Sequence, residues 1–503
     1  MGDPWVALRD APFSVVAGLL DRGMIGQVGW DMIRLHLVVL PSPLVMSSLP
    51  KYQEIYRRFR LAIDQGQLGP GDRVPSVRSL ALELKLARGT VEAAYQLLVS
   101  EGFFEARGQA GTVIARTLPQ VAMKPQPVAP PPTSAPPALQ MGQPALDAFP
   151  RKLWARLVTQ QVRRTDADSL AMGDVRGAQA LRVAIASYLA LYRGVECTPQ
   201  QVFICSGYAG SLTLMCDALQ MAGQRCWYED PGYVHARQLL LHQGVELVPV
   251  PVDRDGLDVA QGIQREPQAR LAIVTPAHQS PLGVALSLAR RQALLAWAQA
   301  QGSWVLEDDY DSEFRYHGQP LAALKSQDVH DRVIHAGSFS KMLFPGLRLG
   351  YLVVPAALVE VFGRSAEALQ QRGAQLLQLT AADFLEQGHF TRHLKKMRQL
   401  YALRRGFLVA ALQAHCADFV RVDEQAGGIN LLARLLVPVP DRVVAKAANE
   451  TGLAVNALSS WALEPGGGQG LLMGFTNVAT AQQATELAVR LLQILRACHK
   501  SNR

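Results

Sequence analysis

Gly337-Ser-Phe-Ser-Lys-Met-Leu-Phe-Pro-Gly-Leu-Arg-Leu-Gly350 lies between two short apolar runs, Val333–Ala336 and Tyr351–Val354. Apolar runs of this length, bounded by Gly, Ser and Pro, read as buried strands. The same grammar recurs upstream. Glu307-Asp-Asp-Tyr-Asp-Ser-Glu-Phe-Arg-Tyr316 begins where the run Trp304–Leu306 ends, and Ser206-Gly207-Tyr208 follows Val202–Cys205. Glu229-Asp-Pro-Gly-Tyr233 follows Arg225–Tyr228, and Thr275-Pro-Ala-His278-Gln279-Ser-Pro281-Leu-Gly283 follows Leu271–Val274. Helix-length segments separate the runs. Strands alternating with helices predict an α/β domain with a mostly parallel sheet over residues 140–503; its last ~90 residues read as a smaller α+β part.

In parallel α/β sheets ligands bind beyond the carboxyl ends of the strands, which is where these polar segments fall. Their residue types suit one chemistry. An aldehyde cofactor needs a lysine that loses its proton readily. A pyridine nitrogen kept protonated needs a buried carboxylate beside it. A phosphate needs small residues, free N–H groups and an arginine, and a flat ring needs an aromatic face. Taken singly, each part has an ordinary explanation. A lysine after a strand is usually solvated, paired aspartates usually make a turn or cap, and Tyr233 and His278 read as packed aromatic and structural histidine. The conjunction, in this chain order, is what carries specificity.

The N-terminal third reads differently. Tyr52, Ile55, Phe59, Ala62 and Ile63 recur at helical spacing until Gly66 and Gly69-Pro70-Gly71 end the helix. Ser76 is a natural N-cap for a second helix through Leu80, Ala81 and Leu84. A third, Thr90 to Glu101, carries the stripe Val91, Ala94, Tyr95, Leu97 and Leu98. Phe103–Arg107 and Thr112–Ile114 flank Gly108-Gln109-Ala110-Gly111 as a hairpin. Three helices and a hairpin are the parts of a winged helix-turn-helix. Arg88, Gly89 and Thr90 stand at the exposed start of its third helix, where N–H groups and a guanidinium meet phosphates or base edges. Arg78 and the Arg107–Gly111 turn flank them. A purely structural module with ordinary surface arginines has the same pattern. Residues 49–116 form this candidate DNA-binding domain, and 117–139 a proline-rich, extended linker. Residues 1–48 show neither repeat nor amphipathic period and receive no function; a genuine extension and a misread upstream start, with Met46 as the true one, both fit.

Composition bounds the rest. The 503 residues are too many for one core. A formal charge of +8 permits an acidic partner such as nucleic acid without requiring one. The six cysteines include no CxxC pair and no zinc-finger spacing, and read as reduced thiols of a cytoplasmic protein. No metal site is expected. The most apolar N-terminal stretch, Leu35–Met46, contains His36 and two prolines. It falls well short of the ~20 residues of a membrane helix, so no membrane partner is expected.

Three segments give the N-terminal domain a resemblance: Val74-Pro-Ser-Val-Arg-Ser-Leu-Ala81, Ala87-Arg-Gly-Thr-Val-Glu-Ala-Ala-Tyr95 and Leu98-Val-Ser-Glu-Gly-Phe103 are similar to the GntR-type winged helix. That likeness implies Arg78, Arg88 and Thr90 as DNA contacts; Ala87 departs from the Ser or Thr often found there. Residues 140–495 resemble fold type I aminotransferases. The resemblance implies pyridoxal 5'-phosphate, with Lys341 as the Schiff-base lysine and Asp308 as partner of the pyridinium nitrogen. It also implies Tyr310 on the cofactor's phenolic oxygen, Tyr233 stacked on the ring, and Tyr208, Ala209, Ser338, Ser340 and Arg348 around the phosphate. His278 belongs to the same cofactor-binding set. Together the two parts resemble the MocR subfamily of GntR regulators, of which the 307–316 and 337–350 segments are near-diagnostic. The departures lie on the substrate side. Ser280 replaces the usual aromatic, and Asn430 stands where histidine is frequent. Gly470-Leu-Leu-Met-Gly-Phe475 lacks the arginine with which aminotransferases clamp an α-carboxylate, and Arg434, from another strand, is the alternative candidate for that role. The expected function is therefore a homodimeric regulator that binds double-stranded promoter DNA and senses a small-molecule amine or vitamin B6. An active aminotransferase with a fused DNA-binding domain, and a cofactor-free regulator whose large domain only dimerises, are the alternatives. Residual transaminase activity is compatible with the first.

Overall fold

The computed structural model describes residues 50–108, 111–118, 137–167, 170–318, 321–466 and 468–501. The extension 1–48, most of the linker, and Gln109 and Ala110 of the hairpin turn lie outside the described residues. The chain divides into two compact units between Pro132 and Thr133.

In the smaller unit the apolar stripes become helices α1 (Lys51–Asp64), α2 (Val77–Leu84) and α3 (Arg88–Ser100). Ser76 caps α2 by accepting a hydrogen bond from the Ser79 amide at 3.1 Å. Strands β1 (Arg73–Val74), β2 (Phe104–Ala106) and β3 (Thr112–Ile114) form an antiparallel sheet in the order β1–β3–β2. The hairpin expected from sequence is thus joined by a third strand. With two residues, β1 has no periodicity to read. Helix α3 begins at Arg88, two residues earlier than its sequence pattern suggested, because the apolar stripe starts only at Val91.

Three rings tie the helices to the wing. Phe59 packs edge-on against Tyr95 and Phe104, with centroids 5.6 and 5.2 Å apart, and Tyr95 meets Phe104 at 5.1 Å. The Tyr95 hydroxyl donates to the Pro75 carbonyl at 2.9 Å, which satisfies its one polar atom. Edge-to-face pairs add about 0.5–1.5 kcal/mol each beyond area burial.

The larger unit is built on an eight-stranded sheet: β4 (Val202–Cys205), β5 (Arg225–Asp230), β6 (Glu246–Asp253), β7 (Gly256–Leu257), β8 (Leu271–Val274), β9 (Trp304–Asp309), β10 (Val333–Ser338) and β11 (Gly350–Val353). Their order is β4–β11–β10–β9–β8–β5–β6–β7. Neighbours from β10 through β6 pair in parallel, whereas β11 is antiparallel to both β10 and β4. Two reversals restore direction, so β4 runs with the parallel set. The carboxyl ends of β4, β5, β8, β9 and β10 therefore share one edge, and the segment leading into β11 starts there too.

Both faces of this sheet are covered, which is why its strands read as continuous apolar runs. Leu271 and Ile273 point to one core cluster, and Ala272 and Val274 to another. Helices α4 (Arg151–Arg164), α5 (Gln179–Arg193), α6 (Gly207–Ala218), α7 (Val234–His242), α8 (Val259–Arg265) and α9 (Leu288–Gln301) surround it. On one side Trp227 of β5 stacks on Trp297 of α9 at 3.8 Å. The short α10 (Phe339–Met342) follows β10 directly.

Beyond α11 (Val359–Ala368), α12 (Gln375–Glu386) and α13 (His389–Cys416) the chain forms a second, four-stranded antiparallel sheet. Its strands are β12 (Val420–Val422), β13 (Asn430–Leu435), β14 (Asn456–Ala457) and β15 (Gly470–Gly474), in the order β12–β13–β15–β14. Helices α14 (Asp441–Glu450) and α15 (Ala481–Ser501) back it. This matches the expected smaller α+β part. The last residues of the stretch bounded from sequence as the linker lie against it. The Ala138 carbonyl accepts from the Ala454 amide at 2.9 Å, and Leu139 from Gly474 at 2.7 Å.

Truncating Phe59 removes the ring at the centre of the small unit's core. Phe59→Ala is expected to destabilise that unit by about 3–5 kcal/mol, the usual cost of a large-to-small core change. Calorimetry should show its transition lowered or lost and the large unit's transition unmoved.

Candidate functional site

A cavity of about 810 Å³ opens at the shared strand edge. Nine of the ten cofactor-side residues expected from sequence line it: Tyr208, Ala209, Tyr233, Asp308, Tyr310, Ser338, Ser340, Lys341 and Arg348. The tenth, His278, stands behind Tyr310. Its Nδ1 lies 3.0 Å from the Tyr310 hydroxyl, and it faces a smaller cavity on the far side.

Strand alternation sorts the acidic run at the end of β9. Glu307 and Asp309 face away from the cavity and are paired. Glu307 lies 2.9 Å from His335 Nδ1 and accepts the amides of Leu324 and Lys325 at 2.6 and 3.0 Å. Asp309 pairs with Arg193 at 2.8 Å. Asp308, between them, faces the cavity with no cation in hydrogen-bond contact. Burial pushes its carboxyl up to about 8, reinforced by Asp309, Glu229 and Asp311 and opposed by a hydrogen bond with the Tyr208 hydroxyl. Glu229 is likewise pushed up by burial, to about 7, despite bonds from Thr275 and Gln279.

Lys341 sits in α10, immediately beyond the carboxyl end of β10. Burial draws its amine below the ordinary lysine value, with the negative charges of Asp311 and Asp308 pulling the other way. Its Nζ donates to the Gly142 carbonyl at 2.6 Å. Gly142 is held in turn by its amide, which donates to Asn430 Oδ1 at 2.9 Å. At φ +69° and with Lys341 Nζ 2.6 Å from where a Cβ would stand, position 142 admits only glycine without a shift.

The polar floor is made by the start of α6 and the bend before β11. Tyr208 and Ala209 lie in the first turn of α6, where N–H groups without helical partners point outward. Arg348 donates to the Ser206 carbonyl at 3.1 Å, beside that turn. Ser338 accepts the Ser340 amide at 3.2 Å, which fixes the tight path into α10. Tyr233, at the start of α7, completes one wall, with its ring 6.4 Å from Tyr208 and 5.9 Å from Trp461.

Sequence reasoning missed part of the wall. Gln140, Met141 and Gly142 enter from just after the linker and Trp461 from the second sheet, where no motif or periodicity marks them. Ser280 and Asn430, noted only as departures, also line the cavity. Arg434 does not; it pairs with Asp423 at 2.9 Å. Among the described residues no group of His, Cys, Asp or Glu is arranged to hold a metal ion, and no helix is long and apolar enough to cross a membrane.

On the small unit Arg78 is exposed on α2, and Arg88, Gly89 and Thr90 form the first turn of α3. Arg88 and Gly89 are exposed and Thr90 is half-buried. Ala87, the N-cap, offers no side-chain acceptor. Gly89 has no positive φ, and a Cβ there would meet nothing within 4 Å. The fold does not require glycine at this position.

Comparison with known proteins extends this geometry. Residues 141–467 match the model of the aminotransferase class I and II family, and residues 51–114 that of the bacterial regulatory proteins of the gntR family. The probable rhizopine catabolism regulatory protein MocR of Rhizobium meliloti is 35% identical over 451 residues, covering 86% of this chain and 91% of that protein. The HTH-type pyridoxine biosynthesis transcriptional regulator PdxR of Corynebacterium glutamicum is 32% identical over 444 residues, covering 87% and 94%. Among solved structures, the kynurenine aminotransferase of Pyrococcus horikoshii superposes with a TM-score of 0.65 at 23% identity, over 73% of this chain and 92% of that one. That last likeness is one of fold. Since the regulators match through the winged helix and the large domain alike, the chain belongs to the MocR subfamily of GntR-type helix-turn-helix transcriptional regulators.

Proposed function

We propose that the large unit binds pyridoxal 5'-phosphate through Lys341 and uses it to sense an amine or vitamin B6 effector, and that the winged helix reads double-stranded promoter DNA. The observation that carries this reading is Asp308. A buried carboxyl with no cation in hydrogen-bond contact, in the same cavity as a lysine whose proton affinity burial lowers, is costly to ionise in the protein alone. A protonated pyridine nitrogen supplies the missing charge. The residues present fit the group in its other parts as well. Lys341 would hold its aldehyde and Tyr310 would donate to its ring oxygen. Tyr233 would cover one ring face, and the α6 turn, Ser338, Ser340 and Arg348 would hold its phosphate. When bound, the cofactor would supply an electrophilic carbon open to attack by an amine. The protein's own contribution is to lower the proton affinity of Lys341 by burial and to orient the ring.

Relatives named for pyridoxine biosynthesis and for rhizopine catabolism support effectors drawn from vitamin B6 and from small amines. An active aminotransferase is the second reading, favoured by the presence of the lysine, aspartate and tyrosine together. Against it stands the cavity wall, where Arg348 at the phosphate end is the one guanidinium among the described lining residues. Rapid exchange between an amino acid and a keto acid, without promoter binding, would decide for the enzyme. A homodimer, presenting two winged helices to two half-sites, completes the proposal.

The absorption spectrum tests the cofactor. Adding pyridoxal phosphate to the purified protein should give a visible band that Lys341→Ala abolishes; no band in either protein would remove the cofactor from the account. Asp308 gives a stability test without cofactor. Its folded value near 8 exceeds the ~3.9 of an unfolded aspartate, so its contribution to stability is present at low pH and is lost as pH rises through 8. Asp308→Asn should therefore melt above the parent protein at pH 8, by a margin that shrinks toward pH 5. On the DNA side, Gly89→Ala should leave melting unchanged or slightly raised while weakening promoter binding in gel-shift titrations. Arg88→Ala should cost about 1–3 kcal/mol of binding if it contacts a base, and reduce the salt dependence instead if it contacts phosphate.

A further inference from the structure

Asp311 has no assigned role, and its surroundings are unusual. It is 1% exposed, and neither of its carboxylate oxygens makes a hydrogen bond. One of them lies 3.2 Å from Nδ1 of His278, the same nitrogen that stands 3.0 Å from the Tyr310 hydroxyl. The other ring nitrogen, Nε2, is buried and without a partner. Backbone lies against one side of the ring: a Cβ placed on Gly428, whose φ is +86°, would stand 2.0 Å from His278 Cε1.

A neutral imidazole carries its proton on one nitrogen and a lone pair on the other. A lone pair on Nδ1 would lie 3.2 Å from an Asp311 carboxylate oxygen, negative against negative, in a buried site. A proton there is attracted instead. We propose that Asp311 is a positioning residue that holds His278 in its Nδ1–H form and thereby turns the Tyr310 hydroxyl proton toward the cavity. With Nδ1 donating, the Tyr310 oxygen accepts from His278 and its own proton is free for an acceptor in the cavity. With the opposite tautomer, Tyr310 would donate backward to His278 and present only lone pairs. The Ser280 hydroxyl, which also hydrogen-bonds to Tyr310, rotates to suit either case.

The charges around this relay leave Asp311 as the one that acts on Nδ1. Asp308, from the cavity, and Glu229 act on Tyr310, and Asp311 also acts on Lys341 and Tyr316. Arg315 and the paired Arg193 close the smaller cavity on the far side of His278. The tautomer stands on this geometry alone; the consequence for the cofactor rests on the reading of Lys341 given above.

The two parts have separate tests. Nitrogen-15 spectra of the full chain labelled at histidine, without cofactor, report which nitrogen of His278 carries the proton, the resonance being identified by its loss in His278→Gln. The parent protein should show the Nδ1–H form, and Asp311→Asn should move the population toward Nε2–H. An Nε2–H form in the parent, or no change in Asp311→Asn, would overturn the proposal; the parent spectrum decides even if the variant fails to fold. With pyridoxal phosphate added, the pH midpoint of the Lys341-dependent band tests the second link. A bond donated by Tyr310 to the ionised ring oxygen makes the proton on the Lys341 nitrogen easier to lose. Asp311→Asn should therefore raise the midpoint by about half a pH unit, a roughly threefold change in proton affinity, and should add nothing to His278→Gln. Loss of a bare negative charge would lower the midpoint, and that direction, or no shift, sinks the link to Tyr310. Absence of a band in the parent protein would fail the cofactor reading and leave the tautomer result standing.

Discussion

A β-strand cannot turn adjacent side chains the same way, and that constraint organises the site. Three acidic residues in succession end β9, and alternation sends the outer two into the protein and the middle one into the cavity. Glu307 and Asp309 find His335 and Arg193 behind the sheet. Asp308 finds only a tyrosine hydroxyl. One carboxyl is thereby left with a raised proton affinity at the spot where the sheet edge, α6 and α10 converge. Had the strand slipped by one residue, two paired acids would face the cavity and an unpaired one would be buried behind it.

Direction matters as much as parity. Reversal of β11 brings the bend carrying Arg348 to the same edge as the carboxyl ends of β4 and β10. Lysine and arginine seven residues apart in sequence consequently border one cavity. The alternation of apolar runs and helices made the class of fold readable, because buried strands leave continuous apolar stretches. It did not disclose the reversal, since an antiparallel strand covered on both faces has the same composition as a parallel one.

The loops after strands were legible because their residue types carry chemistry: lysine, aspartate, tyrosine, serine and arginine in a fixed order. The opposite wall was not. Met141 and Trp461 have nothing in their local sequence to separate them from ordinary packing residues, and they reach the cavity only through the pairing of the second sheet. His278 was read as a cofactor contact from its place in a motif. Its backing by Asp311 depends on a three-dimensional approach between segments that share no periodicity. In the small unit, apolar spacing and the Ser76 cap sufficed for the helices, whereas β1 was too short to leave a signal.

The strap from Ala138 to Gly142 has a consequence for how the molecule can be divided. It is hydrogen-bonded into the second sheet, and its last carbonyl receives the amine of Lys341. A fragment cut anywhere between Pro137 and Gly142 would lose part of the cavity wall along with the connector. The large unit's pocket therefore depends on residues from Pro137 onward, the last three positions of the proline-rich stretch among them.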